Sequence, residues 1–490
     1  MLFNTLDFII FFAIIVGSIS FFRFRNFQHI LIIVSSLYFL FYTDNFLVTL
    51  LISTILLHFY IGREIYKSED PKIRKIFLIV GILGSLSLLG FFKYYDFAIT
   101  QFNIFGNLLN LENQIPLLNL ALPIGISFYT FQSLSYIIDI YRGHLTPTKS
   151  LKEYAFFVAF FPSLVSGPIL RASHFLPQLK EKIGQAKSSE RLRLFIIQNS
   201  RLKFGISLML LGFFKKMVFA DNVAPLVNNI FSNPIGMESF AIILGSIAFG
   251  IQVYCDFSGY SDIAIGAAAI LGFKIPLNFN KPFFATSPSD FWSRWHISLS
   301  TWVRDYLYFP LAIKHRRSSV IVFSSLLVSM LLMGLWHGAS WNFVIWGGLH
   351  GIFLAAFTIL RKKYSKPTEP FFKSKFGKLF SIFVTQYLVF FTFIPFVIKD
   401  FDHMLYAMKK YVILDFTTSQ TIEIINKNEF AIILIILFAV LHYVSYRQGN
   451  LPEKISKLKL RYWVLFLIFI ILPISLFYVG SAQEFIYFEF

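Results

Sequence analysis

One cysteine, Cys255, among 490 residues excludes an intramolecular disulfide and any metal centre built from several thiolates. Charge is scarce too. Asp, Glu, Lys and Arg make up 14% of the chain, against about 25% in soluble proteins. The chain carries no G-x-x-x-x-G-K-[ST] phosphate loop, no G-x-S-x-G nucleophile elbow and no H-E-x-x-H pair. Its ten histidines are scattered without ligand spacing, so neither a metal site nor a serine triad is expected, and no tightly bound cofactor. No internal repeat is visible, which argues against the inverted-repeat architecture of many transporters.

What is abundant is apolar side chain: 56% of residues are hydrophobic and 19% aromatic. Runs of roughly twenty apolar residues, enough to cross a hydrocarbon core of about 30 Å, recur from one end of the chain to the other. Lipid is therefore the expected solvent, and the fold class is all-α, a polytopic transmembrane helical protein. Spans are expected near 7–22, 29–43, 46–61, 76–92, 118–140, 204–220, 236–254, 318–336, 340–360, 379–397, 430–446 and 462–482. They are read as one integral membrane domain over 1–490 with 11–12 spans. The first segment lacks a basic leader region and a small-residue cleavage site, so it is read as a retained span.

The net charge of +18 resides in short loops between apolar runs, which fits anchoring at the cytoplasmic face rather than nucleic-acid binding. Basic loops at 62–75, 173–203, 361–378 and 447–461 are expected to be cytoplasmic. Segments 94–117 and 221–235, which contain no Lys or Arg, and both termini are expected outside. Positive charge on both sides of 154–172 implies that this stretch enters the membrane without crossing. The same counting suggests a second re-entrant segment at 256–272. Broken backbone at membrane depth is tolerated only where protein or water satisfies it.

Ionisable residues inside apolar segments are costly and often functional. They are concentrated in QVYCDFSGYSD, in DFWSRWHISLSTWVRDYLYFP and in MGLWHGASWNFVIWGGLHG. His337 closes a very apolar run and is followed by Gly338, Ala339 and Ser340. It reads either as a buried structural histidine or as a general base for an acceptor hydroxyl. His296 shares a segment with Trp292, Arg294, Arg304 and Asp305, a pattern that predicts an amphipathic helix at the cytoplasmic interface with Trp292 and His296 on one face. Asp262 reads as a helix cap for the apolar run that follows it, and His350 as a packing histidine. For Asp256 the sequence alone leaves capping and an ion pathway open. Lys314–Arg317 reads as a cytoplasmic anchor.

These three motifs, in this order, resemble the membrane-bound O-acyltransferases of bacteria, in particular the membrane subunits of alginate O-acetylation. Upstream GFFKYYDF, LPIGISFYTFQSLSYIIDIYRG and FFPSLVSGPILR, and the terminal FIYFEF, extend the resemblance over nearly the full length. One stretch departs from it: LAIKHRRSSVIVFSSLLVSM replaces the family's glycine-rich turn between the two histidines.

The resemblance implies a ring of tilted helices with re-entrant segments around a central funnel, with its core at about 118–360. It also implies a catalytic His337 with His296 as partner. Trp295, Trp336 and Trp341 are then expected to wall the two histidines. Asn342, Arg294, Arg304, Asp256 and Tyr260 are expected to line the pocket or bind substrate. The implied reaction passes an acyl group, most simply acetyl from acyl-CoA, across the bacterial inner membrane. Its acceptor is an extracytoplasmic glycan, or an exported hydrolase-fold partner protein that modifies one. D-alanyl transfer to teichoic acid is the near alternative, and a proton-coupled transporter or flippase the rival from another class.

Overall fold

A polypeptide this poor in charge can satisfy its backbone in lipid only by pairing it within helices, and helices are what the chain forms. The computed structural model describes residues 1–22, 24–42, 48–110, 114–188, 195, 197–313, 318–478 and 485–486, and among them no strand occurs. Among the described residues, seven helices are long and apolar enough to cross a membrane: Val48–Lys67, Pro71–Leu108, Ser239–Ile270, Ser319–His337, the Trp341–Tyr364 part of Trp341–Lys373, Lys375–Val397 and Glu429–Gln448. Leu6–Phe21 and Leu460–Leu476 are apolar but shorter. Along Pro71–Leu108 the side chains of Ile76, Val80, Leu83 and Leu86 stand exposed, a face that suits lipid and not water. The chain is a multi-pass membrane protein.

Two compact units are distinguished: Met1–Met209 with Ile263–Pro276, and Leu210–Asp262 with Leu277–Phe490. In the first, the stretch 154–172 is broken into Leu151–Val158 and Phe161–Leu164, helices of 8 and 4 residues that are too short to span. Pro162 stands in the first turn of the second, and nearly all of the region is buried. Aromatic packing encloses it: Phe160 lies 5.0 Å from Phe175, which stacks on Phe273 at 4.9 Å. Gly125, at φ 78°, turns the chain into the Ile126–Tyr141 helix against the Leu164 carbonyl, where a Cβ would collide.

The stretch 256–272, expected as a second re-entrant segment, does not form an element of its own. Ser239–Ile270 is one continuous helix of 32 residues, about 48 Å at 1.5 Å per residue, so it outruns a single hydrocarbon thickness. Asp262 therefore caps nothing. It sits in mid-helix and pairs with Lys215 at 2.6 Å. The polar run CDFSGYSD continues the helix because its carboxylates find cations on a neighbouring turn. Lys216 Nζ lies 2.6 Å from Asp256 and 2.9 Å from Asp221. The two lysines open a π-helical turn, Lys215–Ala220, whose extra residue per turn re-aims the side chains that follow.

The second unit is organised on a close helix pair, Ser319–His337 against Trp341–Lys373. Gly334 and Gly347 face each other at the crossing; a Cβ on Gly334 would strike the Phe343 carbonyl, and one on Gly347 the Met330 carbonyl. Glycine is required there by backbone proximity, as at other membrane helix crossings. Beyond Lys375–Val397 the chain forms two short amphipathic helices, Phe401–Val412 and Ser419–Lys427. Between them Asp415 accepts hydrogen bonds from Ser239 N and Thr417 Oγ1 and pairs with Lys410 at 2.7 Å. The Lys410 amine holds the Asp415 carboxyl well below the usual carboxylate range.

Candidate active site

His337 is the last residue of the Ser319–His337 helix, buried at 6% exposure. Three rings enclose its imidazole: Trp336 at 4.8 Å, Trp346 at 4.8 Å and Phe396 at 5.5 Å between centroids. Gly338 leaves the helix in extended conformation, and the Phe343 ring occupies the place a Cβ would take. Gly338 thus serves the packing of Phe343.

His296 reaches the same cluster from another element. The expected single amphipathic helix around it is instead two pieces, Pro288–Trp292 and a run that passes from Ile297–Val303 through a π-helical turn, Arg304–Tyr308, into Phe309–Ala312. Ser287 caps the first piece, which ends after five residues. The chain then turns through His296 itself, a non-glycine residue at φ 41°. Holding a branched ring residue in the left-handed region costs about 1–3 kcal/mol and persists only where the surroundings impose it. They do so here. His296 is fully buried, its ring lies edge-on to Phe257 at 4.6 Å, and Trp336 stands 6.3 Å away as the link to His337.

The tautomer of His296 follows from its partner. Asn278 Oδ1 accepts from the Ser298 backbone N–H at 3.2 Å and from the Ser298 hydroxyl at 2.7 Å, while its Nδ2 donates to Ser261 Oγ at 3.2 Å. The oxygen is therefore the atom facing His296 Nδ1, 3.2 Å away, and Nδ1–H is the donor. In the neutral ring this leaves the lone pair on Nε2. Asn278 escaped the sequence reading because NFN resembles an ordinary polar loop.

The other expected lining residues divide. Trp336 is in contact with both histidines. Trp295 is buried in the adjoining wall, stacked on Phe291 at 5.4 Å and edge-on to Phe279 at 5.1 Å. Trp341 is half exposed at the first position of its helix. At about 100° per residue it lies roughly 140° around the helix from Trp346, the residue whose ring does meet His337.

Asn342 is not a pocket residue: its Nδ2 donates to the carbonyls of Ile398 and Lys399, stapling the helix start to the end of Lys375–Val397. Arg294 pairs with Asp290 at 2.7 Å. Asp256, beyond its pairing with Lys216, accepts from Ile486 N at 2.8 Å, and Tyr260 packs against Phe485 at 4.8 Å. These two anchor the described part of the C-terminal segment instead of lining the histidine cluster. His350, read as a packing histidine, lies 4.8 Å from Trp346 and hydrogen-bonds Thr392 Oγ1 at 2.9 Å.

Two cavities approach this cluster. One, of about 460 Å³, is lined by Trp292, Ile297, Arg304, Met330 and Met333, the last of these one helical turn before His337. A hollow beside it, sharing Ser289 and Thr358, carries Arg361 and Lys362. The other cavity, of about 440 Å³, is lined by Asn228, Phe249, Gln252, Ile398, Asp400 and His403. Its wall includes Val397, next in sequence to the Phe396 that packs on His337. The buried imidazole thus lies one helical turn from the wall of the first hollow and packs on the residue next to the wall of the second. Lys314–Arg317 and most of the terminal FIYFEF lie outside the described residues.

A model of the membrane-bound O-acyltransferase family matches residues 141–399, just over half of the chain and inclusive of both histidines. The chain belongs to this family. Among its relatives are a peptidoglycan O-acetyltransferase of Helicobacter pylori, 33% identical over 369 residues, covering 70% of this chain and 66% of the relative. The probable alginate O-acetylase AlgI of Pseudomonas aeruginosa is 38% identical over 336 residues, 68% of this chain and 61% of its own length. A teichoic acid D-alanyltransferase of Bacillus subtilis is 29% identical over 297 residues, 58% of this chain and 71% of the relative. The chain spans less than two thirds of the length of the first two.

Proposed function

We propose that this chain is an O-acyltransferase of the bacterial inner membrane that passes an acetyl group from a cytoplasmic acyl-CoA toward an extracytoplasmic cell-envelope glycan. The receiver of the group is the glycan itself or an exported hydrolase-fold protein that modifies it. The observation that carries the reading is that His337 lies one helical turn from Met333 on the wall of one cavity and packs on Phe396, next to Val397 on the wall of another, while the lining segments of the two differ in expected sidedness. Arg304 lines the first cavity, and Arg361 and Lys362 the hollow that adjoins it, all in segments that charge counting assigns to the cytoplasmic side. The other draws on Asn228 and Ser232, from a segment without Lys or Arg.

The chemistry follows from those surroundings. Guanidinium and ammonium groups suit the phosphates of a nucleotide thioester, and the apolar throat past Met330 and Met333 suits its acyl end. His337 is the general base that takes the acceptor's proton, and His296, its ring fixed by Asn278, assists from the far side of Trp336. Acetyl rather than D-alanyl is favoured by the two acetyl-transferring relatives named above, which cover more of this chain than the D-alanyltransferase does.

The test is chemical analysis of cell envelopes from a strain lacking the chain. Base-releasable acetate on an envelope glycan should disappear and return with the unaltered chain. Loss of ester-linked D-alanine with acetate unchanged would replace this reading with the teichoic acid one. Loss of neither ester, with altered export of an unmodified polymer, would favour a flippase.

A further inference from the structure

We propose that the indole N–H of Trp346 is the hydrogen-bond donor that holds the acyl carbonyl oxygen while transfer takes place at His337. The proposal rests on the reading of His337 as the base.

Trp346 lies on the second turn of the Trp341–Lys373 helix and is 2% exposed. Its ring meets His337 at 4.8 Å and an interplanar angle of 83°, and Trp292 at 5.9 Å. Trp292 in turn lines the cavity that carries Arg304. Trp346 is therefore the partition between the hollow assigned to the donor and the imidazole, and an acyl group moving from one to the other passes over it.

The indole nitrogen of Trp346 is buried and has no hydrogen-bond partner among the described residues. An indole nitrogen can only donate. Leaving such a donor buried and unsatisfied costs about 1–3 kcal/mol, a cost that phenylalanine at the same position would avoid while keeping most of the ring. Buried donors without partners are rare enough that each calls for a reason. The neighbouring His350 does not supply the partner: its Nε2 is engaged with Thr392 Oγ1 at 2.9 Å, and no hydrogen bond joins its ring to the indole.

A carbonyl oxygen arriving beside His337 supplies the missing acceptor. In the transfer step the acceptor hydroxyl gives its proton to His337 as its oxygen bonds to the thioester carbon, and the carbonyl π pair moves onto oxygen. That oxyanion then re-forms the carbonyl, the carbon–sulfur bond breaks, and the departing thiolate takes the proton from His337. Negative charge develops on the carbonyl oxygen in an aromatic, low-dielectric enclosure, where a fixed neutral donor contributes most. The donor strengthens its bond as charge grows, so its effect falls on kcat more than on substrate binding.

The test uses the full-length chain purified and reconstituted in phospholipid vesicles, with acetyl-CoA as donor and its natural envelope acceptor. Trp346→Phe and replacement of Trp346 by β-(3-benzothienyl)alanine, which keeps the bicyclic shape and exchanges N–H for sulfur, are compared with the unaltered chain. Both should lower kcat by about a hundredfold, the order reported for loss of one oxyanion donor. KM for acetyl-CoA should stay within about threefold and thermal stability should be equal or higher. Full activity of the benzothienyl protein would overturn the proposal and leave Trp346 as wall, and so would a loss expressed wholly in KM. His337→Ala is run in parallel. An active His337→Ala protein would sink the reading beneath the proposal as well, whereas an inactive one beside a fully active Trp346→Phe would sink the proposal alone.

Discussion

Replacing Lys216 by Met tests whether the buried ion cluster holds the second unit together. Lys216, Asp221 and Asp256 have side-chain exposures of 9%, 8% and 3%, and the ammonium lies 2.9 and 2.6 Å from the two carboxylates. Methionine keeps the length of the stem but removes the charge, leaving two carboxylates facing each other in a region that excludes water. Removing one partner from a buried pair costs about 3–5 kcal/mol. Here one cation serves two anions, so the loss should lie at the upper end. The consequence should spread along the chain, because Asp256 also binds the Ile486 amide, and Phe485 beside it packs on Phe257, whose ring touches His296. Thermal unfolding of the detergent-solubilised protein should show a midpoint lowered by about 5–15 °C. The triple change Lys216→Met, Asp221→Asn, Asp256→Asn should recover most of that loss, since no unpaired charge remains. A midpoint within about 2 °C of the unaltered protein for Lys216→Met alone would refute the reasoning, as would a triple variant no better than the single one.

Asn278→Ala should lower transfer at least tenfold, as a rough figure, with KM for the donor little changed, because His296 Nδ1 and Ser298 lose their common acceptor; steady-state kinetics check it, and an unaltered kcat counts against a role for the tautomer. Gly334→Ala forces a methyl group against the Phe343 carbonyl and should destabilise by about 1–3 kcal/mol while displacing His337, seen as a lower unfolding midpoint together with lost transfer. Asp415 has its folded pKa depressed by Lys410, so the stability it adds is fully present above the ordinary carboxylate range and is lost as pH falls below that range toward the depressed folded value. The gap in unfolding midpoint between the unaltered chain and Asp415→Asn should accordingly be open at neutral pH and begin to narrow only below about pH 4; a gap independent of pH would contradict the assignment.

The membrane-spanning character was legible because lipid imposes it directly on composition, and long apolar runs have one physical reading. His337 stood out for the same reason, as a lone ionisable group closing an apolar run. The helix Ser239–Ile270 was misread as broken at CDFSGYSD because its carboxylates appear unpaired in sequence. Their cations, Lys215 and Lys216, lie some forty positions earlier and pair only in space. Two adjacent lysines inside an apolar segment were the signal that could have pointed there. The left-handed turn at His296 was not legible, since W-H-I contains neither glycine nor asparagine to announce it. Trp341 and Asn342 were expected at the pocket from the family resemblance, but the helix turns one to the surface and the other to the Ile398 carbonyl. Trp346, five residues on, faces the imidazole.

The most direct test of the account is the rate of acyl transfer by purified His337→Ala protein. The chain is reconstituted in vesicles, supplied with radiolabelled acetyl-CoA and its own acceptor, and compared with the unaltered chain at equal amount and equal thermal stability. A general base contributes typically a hundredfold or more. The account predicts that transfer falls by about that factor or further while the protein remains folded and inserted. Transfer within about threefold of the unaltered rate would contradict it and remove His337 from the chemistry.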